Sequence, residues 1–126
     1  MKTTKKDFEV FKTTFIHWQN LLGLKDWQCF FEHVPLDDCF GNITTDSEGR
    51  VGTVRFSSRL PSHVHSFDSR RTARHEALEL LLDDLGTLAQ YRYVRYDEIK
   101  TARHAVIRRL ENLLDHIEKA GGGGKA

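Results

Sequence analysis

Residues 74–85 read RHEALELLLDDL, a histidine and two glutamates set against a run of leucines. At about 100° per residue, His75 and Glu79 stand one above the other at i and i+4 of a helix. Leu78, Leu82, Leu85 and Ala89 fall on the adjacent arc, with Leu81 and Leu88 beyond them. The spacing predicts a long helix from about residue 69 to about residue 90, capped by Asp68 or Ser69. The His75/Glu79 pair is then expected at the margin of a buried leucine stripe, with Glu76 to one side near Asp83. Gly86 falls two turns further along the same face. A glycine inside a helix costs about 1 kcal/mol relative to alanine, which points to a need for space beside the pair.

Upstream, DFEVFKTTFIHWQNLL (7–22) places Phe8, Phe11, Phe15, Trp18 and Leu22 at three- and four-residue steps, an amphipathic helix that Gly23 ends. WQCFFEHV (27–34), CFGNITTD (39–46) and RVGTVRFS (50–57) read as three short strands, the last two joined by the turn-forming Asp46-Ser47-Glu48-Gly49. RLPSHVHSFDS (59–69) reads as a loop. Its His63 and His65 would share a face only in a strand, so a metal role for them is the minority reading. After the connector YRYVRY (91–96), a last helix is expected over 98–119, with Ile99, Val106, Leu110, Leu113 and Ile117 along one side. The order predicts an α+β fold with an N-terminal helix, a small three-stranded antiparallel sheet and two C-terminal helices. Residues 1–120 are expected to form one domain and 121–126 a flexible glycine-rich tail.

The composition narrows the function. No stretch approaches the roughly 18 consecutive apolar residues of a membrane helix, and no apolar signal segment follows the basic N-terminus, so the cytoplasm of the producing or host cell is expected. The formal net charge of +1 gives no electrostatic reason to invoke nucleic acid, and the arginine clusters read as solvated helix faces. Cys29 and Cys39, in no metal-binding spacing, read as small buried hydrophobes.

The chemistry concentrates in His75-Glu76-Ala77-Leu78-Glu79, an HExxE variant of the HExxH pattern. Donors at i and i+4 can close on one zinc ion, and a neighbouring glutamate that does not bind the metal can take a proton from metal-bound water. A catalytic zinc usually takes three protein ligands and leaves the fourth position to water. With the second histidine of the motif replaced by Glu79, the missing imidazole is expected from His104 on the last helix. His75, Glu79 and His104 are then the metal set, Glu76 the general base, and Glu111 a supporting acceptor for a ring N–H or a fallback ligand. The β-strand near 51–57 is expected to be an edge that pairs with an extended substrate. The plainer alternative is a solvated helix edge, with His75, Glu76 and Glu79 in salt bridges to neighbouring arginines.

With these residues in place, the chain resembles a group of small phage- and prophage-encoded zincin-like metallopeptidases. The resemblance runs through LGLKDWQ (22–28), ARHEALELLLDDLGTLA (73–89) and RHAVIRRLENLL (103–114). It implies a minimal zincin core in which a last helix brings the final ligand, and a Zn²⁺-dependent hydrolysis of peptide bonds. Glu79 departs from the pattern. The competing expectation is a catalytically silent phage protein that uses the same scaffold to bind or inhibit a host or phage protein. Either way the partner is a peptide or protein.

Overall fold

The computed structural model describes residues 2–64, 66–91 and 93–123. Seven elements follow one another: α1 (Lys5–Leu21), β1 (Gln28–Val34), β2 (Gly41–Asp46), β3 (Val51–Ser57), α2 (Ser69–Leu81), α3 (Asp83–Gln90) and α4 (Tyr96–Gly123). No helix among the described residues is long and apolar enough to cross a membrane.

α1 starts at a reciprocal cap. The Thr4 hydroxyl accepts from the Asp7 N–H at 3.1 Å, and the Asp7 carboxylate accepts from the Thr4 N–H at 2.8 Å. α2 starts where the Asp68 carboxylate accepts from the N–H groups of Arg70 and Arg71. Phe11 and Phe15 of α1 are fully buried and join Val54, Phe56, Ala73, Ala77, Leu80 and Leu81 in one core, with α1 and α2 packed against each other. Phe56 stacks on Phe11 at 4.7 Å between ring centres. The other sheet face is polar, and there Arg55 donates to Glu32, Asn42 and Thr44. His33 is satisfied structurally, 2.7 Å from the Thr3 hydroxyl and stacked on Phe8.

The class α+β holds, but the sheet is mixed rather than purely antiparallel. Its order is β1-β3-β2, with β3 parallel to β1 and antiparallel to β2. The β2–β3 hairpin forms as its sequence requires. The segment 35–40 instead carries the chain past one strand position, a span of about 10 Å between next-nearest strands, and the gap is filled by β3. That strand takes the centre because Gly52, Val54, Phe56 and Ser57 are all buried. It is therefore not an edge, and β2 is.

Further expectations change. The predicted helix 69–90 is two helices, broken at Leu82, so three helices follow the sheet rather than two. The hairpin turns through a left-handed Arg50 (φ 55°). The strain of that conformation is offset by anchoring its guanidinium, 2.7 Å from Asp84 and stacked over the Trp27 ring at 4.9 Å. Gly86 makes room for nothing, since a Cβ there would meet no atom within 4 Å. The helix of the C-terminus extends through the first glycines to Gly123. Cys29 packs against the core, and burial pushes its thiol up to about 11. Cys39 is exposed, contrary to the buried role expected of it.

Candidate functional site

α2 buries Ala73, Glu76, Ala77, Leu80 and Leu81. These sit at i, i+3, i+4, i+7 and i+8, a stripe that packs its small residues against α1 and sends Leu80 and Leu81 into the core. A fully buried leucine contributes roughly 1.5–3 kcal/mol, and that gain sets the helix rotation. The rotation differs from the one expected from the leucine arc: Leu78 is 40 % and Leu82 50 % exposed, whereas Glu76 is only 5 % exposed. The break at Leu82 is what permits it, because α3 no longer has to keep its own leucines in line with those of α2.

His75 and Glu79 lie outside the stripe. His75 Nε2 is 3.4 Å from Glu79 Oε1, with the two side chains 68 % and 58 % exposed. Thus the expected i, i+4 pair forms, on an open face. His104 does not join it. On α4 the buried positions are Ala102 and Val106. At about 100° per residue His104 stands roughly opposite both, and Glu111, seven residues on, shares that outward face. Both are exposed. α4 packs its inner face against α3 and against the turn after α1, where Arg109 reaches Asp26 at 3.5 Å. Among the described residues no group of three or more His, Cys, Asp or Glu side chains stands at metal-holding spacing. His65 lies outside the described residues. Among the described residues two donors, His75 and Glu79, stand together and no third joins them, where a catalytic zinc usually takes three.

Glu76 is the chemically unusual residue. Burial, with a smaller push from Glu79, drives its carboxyl up from 4.5 to about 7, against a lowering by neighbouring His75. It borders a cavity of about 660 Å³ lined by Cys39, Phe40, Gly41, Phe67, Asp68, Arg71, Thr72 and His75 among others. Of these, sequence reasoning named only His75 and Glu76 as site residues. Gly41 carried a legible signal, a glycine opening a strand pattern where something approaches closely. A Cβ at Gly41 would lie 3.0 Å from the Arg55 carbonyl oxygen and from Thr72 Cγ2, and 3.6 Å from Glu76 Oε2.

β2 runs from this cavity to a second one of about 610 Å³, lined by Thr45, Asp46, Ser47, Glu48, Glu79 and Asp83 among others. The Ser57 N–H donates to the Phe40 carbonyl at 2.8 Å. Hydrogen-bonded pairs alternate along an antiparallel ladder, so in the register Gly41↔Phe56 the residues Asn42, Thr44 and Asp46 face β3. Gly41, Ile43 and Thr45 turn their N–H and C=O groups outward, with no backbone partner among the described residues.

No family model, curated protein or solved structure matches the chain.

The raised carboxyl makes stability depend on pH. Glu76 binds its proton more tightly folded, at about 7, than unfolded, at 4.5. Its contribution is complete below about pH 4.5 and is lost as pH rises through 7, a swing of at most about 3 kcal/mol. Glu76→Gln removes that dependence. Urea midpoints of the two proteins should lie close together below about pH 4.5 and diverge progressively up to about pH 7, with the variant the more stable there. Parallel curves would show that this carboxyl is not buried.

Proposed function

We propose that the chain is a peptide-binding protein that takes an extended segment of a partner along the free edge of β2, over the cleft walled by α2. The observation that carries this reading is the row of outward backbone groups at Gly41, Ile43 and Thr45, placed between two cavities at the ends of the same strand. Main-chain pairing supplies affinity in such strand addition, and cavities for alternate side chains supply selectivity. Four residue steps of about 3.3 Å separate Gly41 from Thr45, so a segment of about five residues reaches from one cavity to the other. β2 has neither proline nor lysine, two of the usual protections of an exposed edge.

Metal-dependent hydrolysis of a peptide is the second reading. It is favoured by the 3.4 Å approach of His75 to Glu79 and by the proximity of Glu76. It needs a third donor, which neither His104 nor Glu111 provides from the outward face of α4. No catalytic step is assigned through the metal.

Two measurements separate these readings. Peptides selected by display against the folded chain should slow amide hydrogen exchange at Gly41, Ile43 and Thr45 and leave Asn42 and Thr44, already paired, unchanged. Selected peptides that protect none of the three outward amides would remove the strand-addition reading. Elemental analysis of protein purified without added metal should find well under one zinc per chain in wild type, His75→Ala and His104→Ala alike. One zinc per chain that both substitutions abolish would restore the hydrolase.

A further inference from the structure

Resting on the reading of β2 as a docking edge, the ligand end that enters the cavity beside Gly41 is identified by the cavity's own chemistry. Glu76 is 95 % removed from solvent, yet none of the described residues donates a hydrogen bond to its carboxylate. Neither oxygen is sealed off. Glycine at 41 keeps it uncovered, since any Cβ there would crowd Thr72 and the Arg55 carbonyl and stand 3.6 Å from Glu76 Oε2. Five residues earlier in α2, and lining the same cavity, Arg71 presents a guanidinium that forms no ion pair among the described residues. Asp68, also on the wall, is occupied in capping α2. Phe40 and Phe67 meet edge to face at 6.3 Å and supply an apolar side to the same space.

A buried carboxylate without a partner is costly, and a ligand that delivers a cation removes the cost. A metal ion would need more donors than the described residues bring together. A primary ammonium is compact, carries three donors and is compatible with aromatic rings nearby. If that ammonium has a carbonyl on the adjoining carbon, the carbonyl oxygen is the natural acceptor for Arg71. These groups occur together at the N-terminus of a peptide.

We propose that Glu76 receives the α-ammonium of a partner's N-terminus, that Arg71 takes the first carbonyl oxygen, and that Phe40 and Phe67 hold an apolar first side chain. The rest of the segment then leaves the cavity toward Thr45 and lies parallel to β2. A free amino acid shares the end-group chemistry without the strand, and the experiment separates the two sources.

The probes are leucinamide, the amide of Leu-Ala-Ala-Ala, and the same peptide acetylated at its N-terminus, titrated by NMR near neutral pH at up to millimolar concentration. The free-amine peptide should bind at least about tenfold more tightly than the acetylated one, a difference of about 1.4 kcal/mol. Glu76→Gln should erase that preference while its cooperative thermal unfolding is retained. Arg71→Ala, an exposed substitution, should weaken the free and acetylated peptides alike. Binding of leucinamide and the free peptide that shifts Gly41, in the pocket wall, but not Ile43 or Thr45 supports the ammonium pocket while overturning the docking edge. Equal binding of free and acetylated peptides with those amides shifted overturns the pocket while leaving the edge. A preference that survives Glu76→Gln, or no binding of either free-amine probe, overturns the pocket.

Discussion

The rotation of α2 about its own axis is the constraint from which the site follows. Ala73 and Ala77, fully buried, allow close approach to Phe11 and Phe15 of α1, and Leu80 and Leu81 complete the stripe. Once that face is turned inward, Glu76 must go with it and Leu78 must stay out. The carboxyl then has little water and no hydrogen-bond partner among the described residues, so its preference for the proton rises. A turn of roughly one residue in the other direction would exchange these roles: Leu78 inside, Glu76 solvated, and no unusual acid in the cleft.

The second constraint is the strand order. β3 occupies the middle of the sheet because its alternate residues are buried against the helices while its backbone is paired on both sides. This places β2 at the rim, next to α2, with Gly41 at one cavity and Thr45 at the other. A single loop, 35–40, that steps over a strand position converts a plain meander into a sheet with an open edge beside the unusual carboxyl. Loop composition alone seldom reveals such a step.

Much of this was legible in the sequence. The three- and four-residue steps of Phe8, Phe11 and Phe15 identified α1. RVGTVRFS (50–57) read as the strand that is β3, and the turn residues at 46–49 identified its hairpin with β2. The His75/Glu79 juxtaposition followed from helical spacing alone. What failed was the choice of buried arc on α2. Counting leucines favoured Leu78, Leu82 and Leu85, but small residues at Ala73 and Ala77 decide where two helices can approach, and the break at Leu82 separates the leucines onto two axes. His104 was placed by connector length, whereas the burial of Ala102 and Val106 turns it outward. The lining residues Phe40, Phe67, Arg71 and Thr72 come from three separate segments, and no local pattern links them.

The most direct measurement of this account is the rate of thiol modification at two neighbouring positions on α2, in chains whose Cys29 and Cys39 are replaced by alanine. Leu78→Cys should react nearly as fast as a free thiol in the folded protein, and Ala77→Cys should be protected until the domain opens. Fast modification at 77 with protection at 78 would contradict the helix rotation, and with it the buried carboxyl on which the cleft depends.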